Sequence, residues 1–294
     1  MGQHLTTSVR SLLFAPGNRP ELLKKFPRSD ADAYVIDFED GTPESEKQSA
    51  RETLAAIVPY LREQKLRGLI FVRTNAASSP HTEADLEAAL HTDIDGLVIP
   101  KLGAVGELQH FGRALAEAEQ KQRRQFRLIG LIESMAGVVA APQLAAGDDH
   151  LCALAFGGED FISDIGGRRT PEGLEVLYAR SQVVLAARAA GLEALDQVVV
   201  DIRDDEQFRR DAIAGRNLGY TGKMCLLPRQ VTLANDVFAP TAEEVDRSRR
   251  LIEAYDAGIA AGRGVTEFEG LMVDTPLLKR ARAIIEGASR TGRK

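Results

Sequence analysis

The sequence predicts a (β/α)8 TIM barrel with a C-terminal extension of helices and a hairpin. Eight short apolar runs recur up to residue 227, and stretches with helical spacing separate them. Nearly continuous apolar character is typical of parallel strands that are covered on both faces. A doubly wound open sheet is the main alternative, but the Pro16-Gly17-Asn18 turn after the first run lacks the GxGxxG fingerprint of that fold. The count of eight and this absence favour the barrel.

The predicted strands and helices alternate along the chain. The strands are the runs SLLFAPG (11–17), AYVIDFED (33–40), GLIFVRTN (68–75), GLVIPKL (96–102), RLIGLIES (127–134), LCALAFGGED (151–160), DQVVVDI (196–202) and TGKMCLL (221–227). We predict helices over 43–64, 81–90, 106–120, 172–191 and 204–219, the last of which ends at a glycine. With the helical segment 228–238, these units form a predicted catalytic barrel domain over residues 1–238.

The remaining residues, 239–294, exceed what the closure of a barrel requires. A helix over 241–262 opens with the capping pattern Thr241-x-x-Glu244, and a hairpin is predicted over 264–275. A last helix starts at Pro276. We expect this extension to act as a lid that packs on the barrel or on a neighbouring subunit.

Composition and charge narrow the class of protein. The chain is 44% hydrophobic and 27% charged, which allows a large core. Its net charge of -6 argues against a nucleic-acid partner, which would need a basic surface. No apolar run approaches the length of a membrane span, the first ten residues lack a signal-peptide core, and the two cysteines lie in apolar runs. These features predict a cytoplasmic globular protein without a membrane partner.

Polar side chains follow most of the predicted strands. In a TIM barrel the carboxyl ends of the strands meet at one mouth, where the catalytic residues lie. We therefore expect a ring of charged and polar residues there, made of Asn18, Arg19, Asp37, Glu39, Asp40, Arg73, Asn75, Lys101, Glu133, Ser134, Glu159, Asp160, Asp201 and Arg203.

Glu133 and Asp160 follow the fifth and sixth strands, so their carboxylates are predicted to face each other. Two unpaired like charges would repel, and a bound divalent cation would remove that repulsion. Because no histidine lies at a strand end, the oxygen-rich set suits Mg²⁺ or Mn²⁺ better than Zn²⁺. The alternative is that both carboxylates pair with Arg73 or Lys101 and only hold the barrel mouth together.

Three further features allow two interpretations each. Arg73 can bind a carboxylate or an enolate oxygen, or it can pair with Asp37 or Glu39. Lys101 and Lys223 can form a Schiff base as in metal-free aldolases, although ordinary salt bridges are the commoner role of such lysines. The loop GGEDFISDIGGRR (157–169) can cradle a phosphate with its two arginines, Arg168 and Arg169, or these can be solvated loop residues.

Eight motifs follow one another along nearly the whole chain. They are RSLLFAPGN (10–18), DADAYVIDFEDGTPESEKQSAR (30–51), VRTN (72–75), IPKL (99–102), IGLIESMAGV (129–138), AFGGEDFISDIG (155–166), GYTGKMCLLPRQV (219–231) and GVTEFEGLMVDTP (264–276). Each motif alone is weak, but in this order they resemble the citrate lyase beta-subunit-like (CitE-like) group of the HpcH/HpaI aldolase family.

The resemblance implies a Mg²⁺-dependent carbon–carbon lyase. Such an enzyme cleaves or forms 3-hydroxyacyl thioesters, for example malyl-CoA, citramalyl-CoA or a citryl group on an acyl carrier protein, and yields acetyl-CoA and a 2-oxo acid. By resemblance, Glu133 and Asp160 are the metal ligands and Arg73 binds substrate oxygen and stabilises the enolate. Asp37 and Glu39 resemble carboxylates that hold metal-bound water.

The resemblance also concerns the extension and the substrate contacts. Asp274 resembles an acid or base on a C-terminal lid, which in relatives closes over an adjacent subunit's site. This implies a homo-oligomer, commonly a trimer. We expect Asn18 and Arg19, at the end of the first strand, to contact the substrate together with Arg73 and Glu133.

One departure from the family pattern keeps other activities open. Leu227 stands immediately before Pro228, where the family pattern often has a histidine. A thioesterase, in which water intercepts the acyl group, is one alternative. A metal-dependent aldolase that acts on free 2-oxo-hydroxy acids is a second. A subunit that binds the thioester without turnover is a third.

Overall fold

The computed structural model describes residues 9–262 and 266–290 of the chain. The chain divides into two compact units, Met1–Asp236 and Val237–Lys294. One helix, Pro228–Phe238, crosses the boundary between them, and each of the other elements belongs to one unit.

The first unit contains a closed barrel of eight parallel strands in sequential order, which confirms the predicted fold. The first strand pairs with the eighth, with Ser11 opposite Lys223, and this pairing closes the barrel. The strands are β1 (Ser11–Pro16), β2 (Ala33–Asp37), β3 (Leu69–Arg73), β4 (Gly96–Ile99), β5 (Arg127–Ile132), β6 (Leu151–Phe156), β7 (Glu193–Asp196) and β8 (Gly222–Cys225).

Helices connect the strands, five of them at predicted positions, while those over Pro20–Leu23, Met135–Ala145 and Gly158–Asp164 are not among the predicted helices. They are α1 (Pro20–Leu23), α2 (Lys47–Glu63), α3 (Thr82–Leu90), α4 (Val105–Gln122), α5 (Met135–Ala145), α6 (Gly158–Asp164), α7 (Leu174–Ala189), α8 (Asp205–Leu218) and α9 (Pro228–Phe238). Local sequence sets their ends. The Asp204 side chain accepts a hydrogen bond from the Gln207 N–H at the start of α8, and Gly219, with φ of 107°, ends the helix.

The barrel interior is filled by residues two apart on the same strand. Ala33 and Val35 on β2 and Ala153 and Ala155 on β6 belong to one buried cluster that also includes Leu12, Phe71, Val98, Ile129, Leu131, Leu195 and Met224. Side chains alternate between the two faces of a strand, so this period of two identifies the inward face. The packed interior leaves the carboxyl ends of the strands as the place for a cavity.

The predicted seventh strand was misplaced. The valine run at 198–200 has the composition of a strand, but β7 covers Glu193–Asp196, because these residues make the parallel pairs with β6 and β8. As a result, Asp201 and Arg203 do not end a strand. Both are exposed in the segment before α8.

The described residues of the second unit that follow α9 form two helices and a hairpin. Helix α10 (Ala242–Ala260) begins with the predicted capping box between Thr241 and Glu244. Strands β9 (Thr266–Phe268) and β10 (Leu271–Val273) are antiparallel, and helix α11 (Thr275–Arg290) follows. The turn residues Glu269 and Gly270 have φ of 51° and 78°, the signs that a two-residue hairpin turn requires. Residues 264 and 265 of the predicted hairpin lie outside the described residues, and the lid role stays a prediction.

Across the described ranges, no helix combines the length and apolar character that a bilayer span would need.

Candidate active site

A cavity of about 410 Å³ lies at the carboxyl ends of the barrel strands. Its charged lining comes from residues at or just after β2, β3, β5 and β6. These are Asp37, Asp40, Arg73, Glu133, Glu159 and Asp160. Five carboxylates therefore face one guanidinium, so the cavity has an excess of negative charge.

Glu133 follows the last residue of β5 and is only 3% exposed. Its Oε1 accepts a hydrogen bond of 2.7 Å from the backbone N–H of Lys101. On the other side, a Cβ at Gly157 would lie 2.5 Å from its Oε2, so only glycine fits there. The chain then turns away into α5, where the Ser134 side chain accepts from the Gly137 N–H. The hydrogen bond from Lys101 and the close approach of Gly157 thus hold the Glu133 carboxylate at the carboxyl end of β5.

Glu133 and Asp160 are neighbouring carboxylates whose like charges repel each other. Burial first, and then the charge of Asp160, raise the pKa of Glu133 to about 8. Among the lining carboxylates, Asp37 pairs with Arg73, Asp40 with Lys101 and Glu159 with Arg169. Within the part of the chain that the structure describes, these two are the lining carboxylates that have no ion-pair partner.

This pair fits a magnesium ion. No cluster of three or more His, Cys, Asp and Glu side chains that could hold a metal occurs among the described residues. Mg²⁺ does not need one, since it keeps several waters and takes one or two carboxylates together with oxygens of its substrate. Two neighbouring carboxylates that form no ion pair among the described residues, one of them with a raised pKa, are a suitable donor set.

Arg73, at the end of β3, is held by the two carboxylates that follow β2. Its Nε and Nη2 donate hydrogen bonds of 2.7 and 2.6 Å to Asp37, and its Nη1 lies 3.1 Å from Glu39. Burial opposes the charge of Arg73, but the charge and hydrogen bonds of Asp37 outweigh it, so the pKa of the guanidinium lies above its ordinary value. Arg73 is a fixed cation in the cavity wall, and Asp37 and Glu39 orient it.

Lys101 does not line the cavity, but it contacts Glu39, Asp40 and Glu133. Its ammonium pairs with Glu39 and Asp40, and its φ of 51° aims its backbone N–H at Glu133. Burial opposes its charge, but the contact with Glu39 outweighs it and raises the pKa of the ammonium. The contacts of Lys101 are those of the ion-pair interpretation, and a protonated amine is a poor nucleophile for a Schiff base. The alternative in which Arg73 or Lys101 pairs with Glu133 or Asp160 is not what the described structure contains.

Lys223 lies in a buried ionic cluster away from the cavity lining. Its side chain is completely buried, and its ammonium contacts the Gln197 carbonyl and the carboxylates of Asp196 and Asp211. Arg180 pairs with both of these carboxylates. This cluster joins β7 and β8 to α7 and α8, so the structural interpretation also holds for Lys223.

Several predicted site residues are not among those that line the cavity. Arg19 is exposed and pairs with Glu21, and Asn18 keeps a buried Oδ1 without a hydrogen-bond partner in the described structure. Asp274 is exposed in the second unit, where its Oδ1 accepts from the Leu277 N–H at the start of α11. The proposed roles of these residues stay predictions.

The predicted phosphate-cradling loop is partly helical. Residues Gly158–Asp164 form α6, which corrects the interpretation of 157–169 as one loop. Of its two arginines, Arg168 is exposed, and Arg169 pairs with Glu159 and Glu175. Arg169 is therefore a structural residue of this turn.

The apolar part of the lining is not among the predicted site residues. Phe14, Val198, Met224 and Leu226 line the cavity together with Leu131. The signal was present in the spacing, since Met224 and Leu226 are two apart and so share one face of the chain at the end of β8. Leu227, the residue that departs from the family pattern, is not among the lining residues.

Known proteins resemble this chain over most of its length. Residues 10–228 match the HpcH/HpaI aldolase/citrate lyase family. The chain is 43% identical over 287 residues to the citrate lyase subunit beta-like protein of Deinococcus radiodurans, covering 94% of this chain and 96% of that protein. It is 34% identical over 286 residues to the mitochondrial citramalyl-CoA lyase of Homo sapiens, covering 93% and 83%.

Solved structures agree with these relatives. CitE from Mycobacterium tuberculosis, in complex with magnesium, acetoacetate and coenzyme A, aligns with a TM-score of 0.77 at 29% sequence identity. The alignment covers 98% of this chain and 99% of that chain.

Proposed function

The chain belongs to the HpcH/HpaI aldolase/citrate lyase family, and we propose that it is a Mg²⁺-dependent lyase that cleaves or forms the carbon–carbon bond of 3-hydroxyacyl-CoA thioesters. The relatives that support a lyase include a citramalyl-CoA lyase. The complex of CitE with magnesium and coenzyme A supports both the metal and the CoA carrier. A 2-oxo acid and acetyl-CoA are the products of cleavage in this proposal.

The observation that carries the proposal is the arrangement around Glu133. Two neighbouring carboxylates that form no ion pair with any described residue lie in one cavity with a guanidinium that two other carboxylates hold in place. We assign Glu133 and Asp160 as the residues that hold the metal. Mg²⁺ bound there supplies a Lewis acid for the hydroxyl and carboxylate oxygens of the substrate.

In this proposal, Arg73 stabilises the negative charge that develops on the substrate. When the carbon–carbon bond breaks, its electron pair moves onto the thioester oxygen, and the carbinol carbon becomes the keto carbon of the 2-oxo acid. The guanidinium stabilises that developing negative charge. Since Asp37 and Glu39 fix it with hydrogen bonds and ion pairs, little reorganisation is needed during the reaction.

A base must accept the hydroxyl proton, and an acid must return a proton to the enolate carbon. We assign this exchange to Asp274 as part of the proposal, because the resemblance places the family's acid or base there. Asn18 and Arg19 keep their proposed role in substrate binding. A homotrimer and a lid formed by the second unit complete the proposal, and light scattering of the purified protein tests the oligomeric state.

Chelator-sensitive cleavage tests the function. The protein is incubated with citramalyl-CoA or malyl-CoA, with Mg²⁺ or with EDTA, and the release of pyruvate or glyoxylate is followed. We expect turnover with Mg²⁺ and none with EDTA. Release of free CoA and an intact hydroxy acid would instead indicate a thioesterase.

Two variants and one control assign the metal ligands. Glu133→Gln and Asp160→Asn should each abolish turnover and weaken Mg²⁺ binding measured by calorimetry, while the circular dichroism spectrum stays unchanged. Glu172→Gln changes an exposed carboxylate of the turn before α7 and should alter neither. Wild-type Mg²⁺ affinity in either of the first two variants would remove that residue from the metal site.

A further inference from the structure

The cavity has a charged half and an apolar half. The charged residues come from β2, β3, β5 and the start of α6, which are neighbours around the barrel. Strand β4, between β3 and β5, contributes no lining residue, and Leu131 of β5 is an apolar residue on the charged side. Strands β7, β8 and β1 also adjoin one another, since β7 pairs with β8 and β1 closes on β8. Their contribution is apolar and consists of Val198, Met224, Leu226, Phe14 and the adjacent Ala15 and Pro16.

The apolar half has no cation to receive a second carboxylate. Among the described residues that line the cavity, Arg73 is the one cation, and it comes from β3 in the charged half. A carboxylate that lost water against Met224 and Leu226 would have no compensating partner, which is unfavourable. A hydrocarbon group there would instead be removed from water, which is favourable.

Leu226 is one of the apolar side chains that form this half of the cavity. It lies just after β8, is half-buried, and lines the cavity. The Gln230 side chain fixes its position, because Oε1 accepts a hydrogen bond of 2.7 Å from the Leu226 N–H and a second, of 3.2 Å, from the Leu227 N–H. Leu227 is held by the same amide but is not part of the lining.

We propose that the β7-β8-β1 half of the cavity selects substrates whose carbinol carbon carries an uncharged alkyl group. The substrate class is then 3-hydroxy-3-alkyl acyl thioesters with one free carboxylate, and the keto product is a 2-oxo acid with an alkyl chain. A thioester with a second carboxylate, such as a citryl group, is disfavoured. This inference rests on the proposed lyase function, since it concerns the substrate of the same site.

Two 2-oxo acids of equal length test the inference directly. 2-Oxobutanoate and oxaloacetate differ in that oxaloacetate has a carboxylate in place of the terminal methyl group. With Mg²⁺ present, calorimetry should show 2-oxobutanoate binding at least about tenfold more tightly than oxaloacetate. It should also bind about fourfold more tightly than pyruvate, because it adds one buried CH₂ group. The same order is expected for kcat/KM in condensation with acetyl-CoA.

A matched pair of variants locates the effect. Leu226→Arg places a cation in the apolar half, and the ratio of oxaloacetate binding to 2-oxobutanoate binding should rise at least about tenfold. Leu227→Arg adds the same charge one residue away and should leave the ratio unchanged. Thermal unfolding of both variants checks that they fold.

The outcomes separate this inference from the lyase proposal. Oxaloacetate binding as tightly as 2-oxobutanoate to the wild-type protein would overturn the inference, and so would a ratio that Leu226→Arg does not change in folded protein. Condensation of acetyl-CoA with both acids at equal kcat/KM would keep the lyase function and refute the selection. Preferential binding of 2-oxobutanoate without any condensation or cleavage would support the selection and refute the lyase.

Discussion

Replacement of Glu133 by glutamine removes one buried negative charge and keeps the size of the side chain. The amide oxygen can still accept the hydrogen bond that the Lys101 N–H donates to this position. In the metal-free protein, burial and then the charge of Asp160 raise the pKa of Glu133 from an ordinary 4.5 to about 8. The variant should therefore differ from the wild-type protein in how its free energy of unfolding depends on pH.

The sign follows from the direction of the pKa change. The folded protein binds this proton more tightly than the unfolded chain, so the stabilisation is complete below pH 4.5 and is lost as the pH rises to about 8. At about 1.36 kcal/mol per pKa unit, the loss is roughly 5 kcal/mol at most. Glu133→Gln lacks this titration. Relative to the wild-type protein, it should gain stability by up to that amount between pH 5 and pH 9.

Urea denaturation in EDTA at pH 5 and at pH 9 measures the difference. Added Mg²⁺ should raise the wild-type free energy of unfolding at pH 9 more than that of Glu133→Gln, because the variant keeps only one of the two proposed ligand carboxylates. The exposed Glu172→Gln serves as the control. A stability difference between Glu133→Gln and the wild-type protein that is the same at both pH values would refute the raised pKa of Glu133.

Three further substitutions test other parts of the account. Arg73→Lys should lower kcat/KM about 100-fold, because lysine cannot make the two hydrogen bonds to Asp37; steady-state assays with citramalyl-CoA measure this, and an unchanged value would contradict the role. Asp274→Asn keeps the hydrogen-bond acceptor that caps α11, so the melting temperature should stay the same while kcat falls about 100-fold; unchanged kcat would exclude Asp274 as the acid or base. Lys223→Met should lower the free energy of unfolding by about 3 kcal/mol, since Asp211 loses a buried cation; wild-type stability in urea would show that the cluster does not need it.

The barrel could be predicted because both faces of its strands are buried. In β2, all five residues from Ala33 to Asp37 are buried, so the strand appears in the sequence as one apolar run. Strand β7 has the sequence EALD, which suits a helix as well as a strand, while the valines after it have the composition of a strand. Hydrogen bonds to β6 and β8, which no local pattern contains, decide the position.

The charged half of the site could be predicted because its residues end or closely follow strands: Glu133 comes directly after β5, and Asp160 lies in the first turn of α6, four residues after β6 ends. Which cation pairs with which carboxylate could not be predicted. Arg73 had Asp37, Glu39 and Glu133 within possible reach, and only the three-dimensional arrangement brings it to the first two. To predict the apolar half, one must know which face of β8 points inward. The identity of a single residue such as Leu226 does not indicate that face.

The most direct test of the central claim is a crystal structure of the protein grown with Mn²⁺, which substitutes for Mg²⁺ and scatters anomalously. We expect one anomalous peak per chain at the mouth of the barrel, with a carboxylate oxygen of Glu133 and one of Asp160 as ligands and Arg73 still paired with Asp37. A peak bound by other side chains, or no peak with Glu133 and Asp160 turned apart, would contradict it.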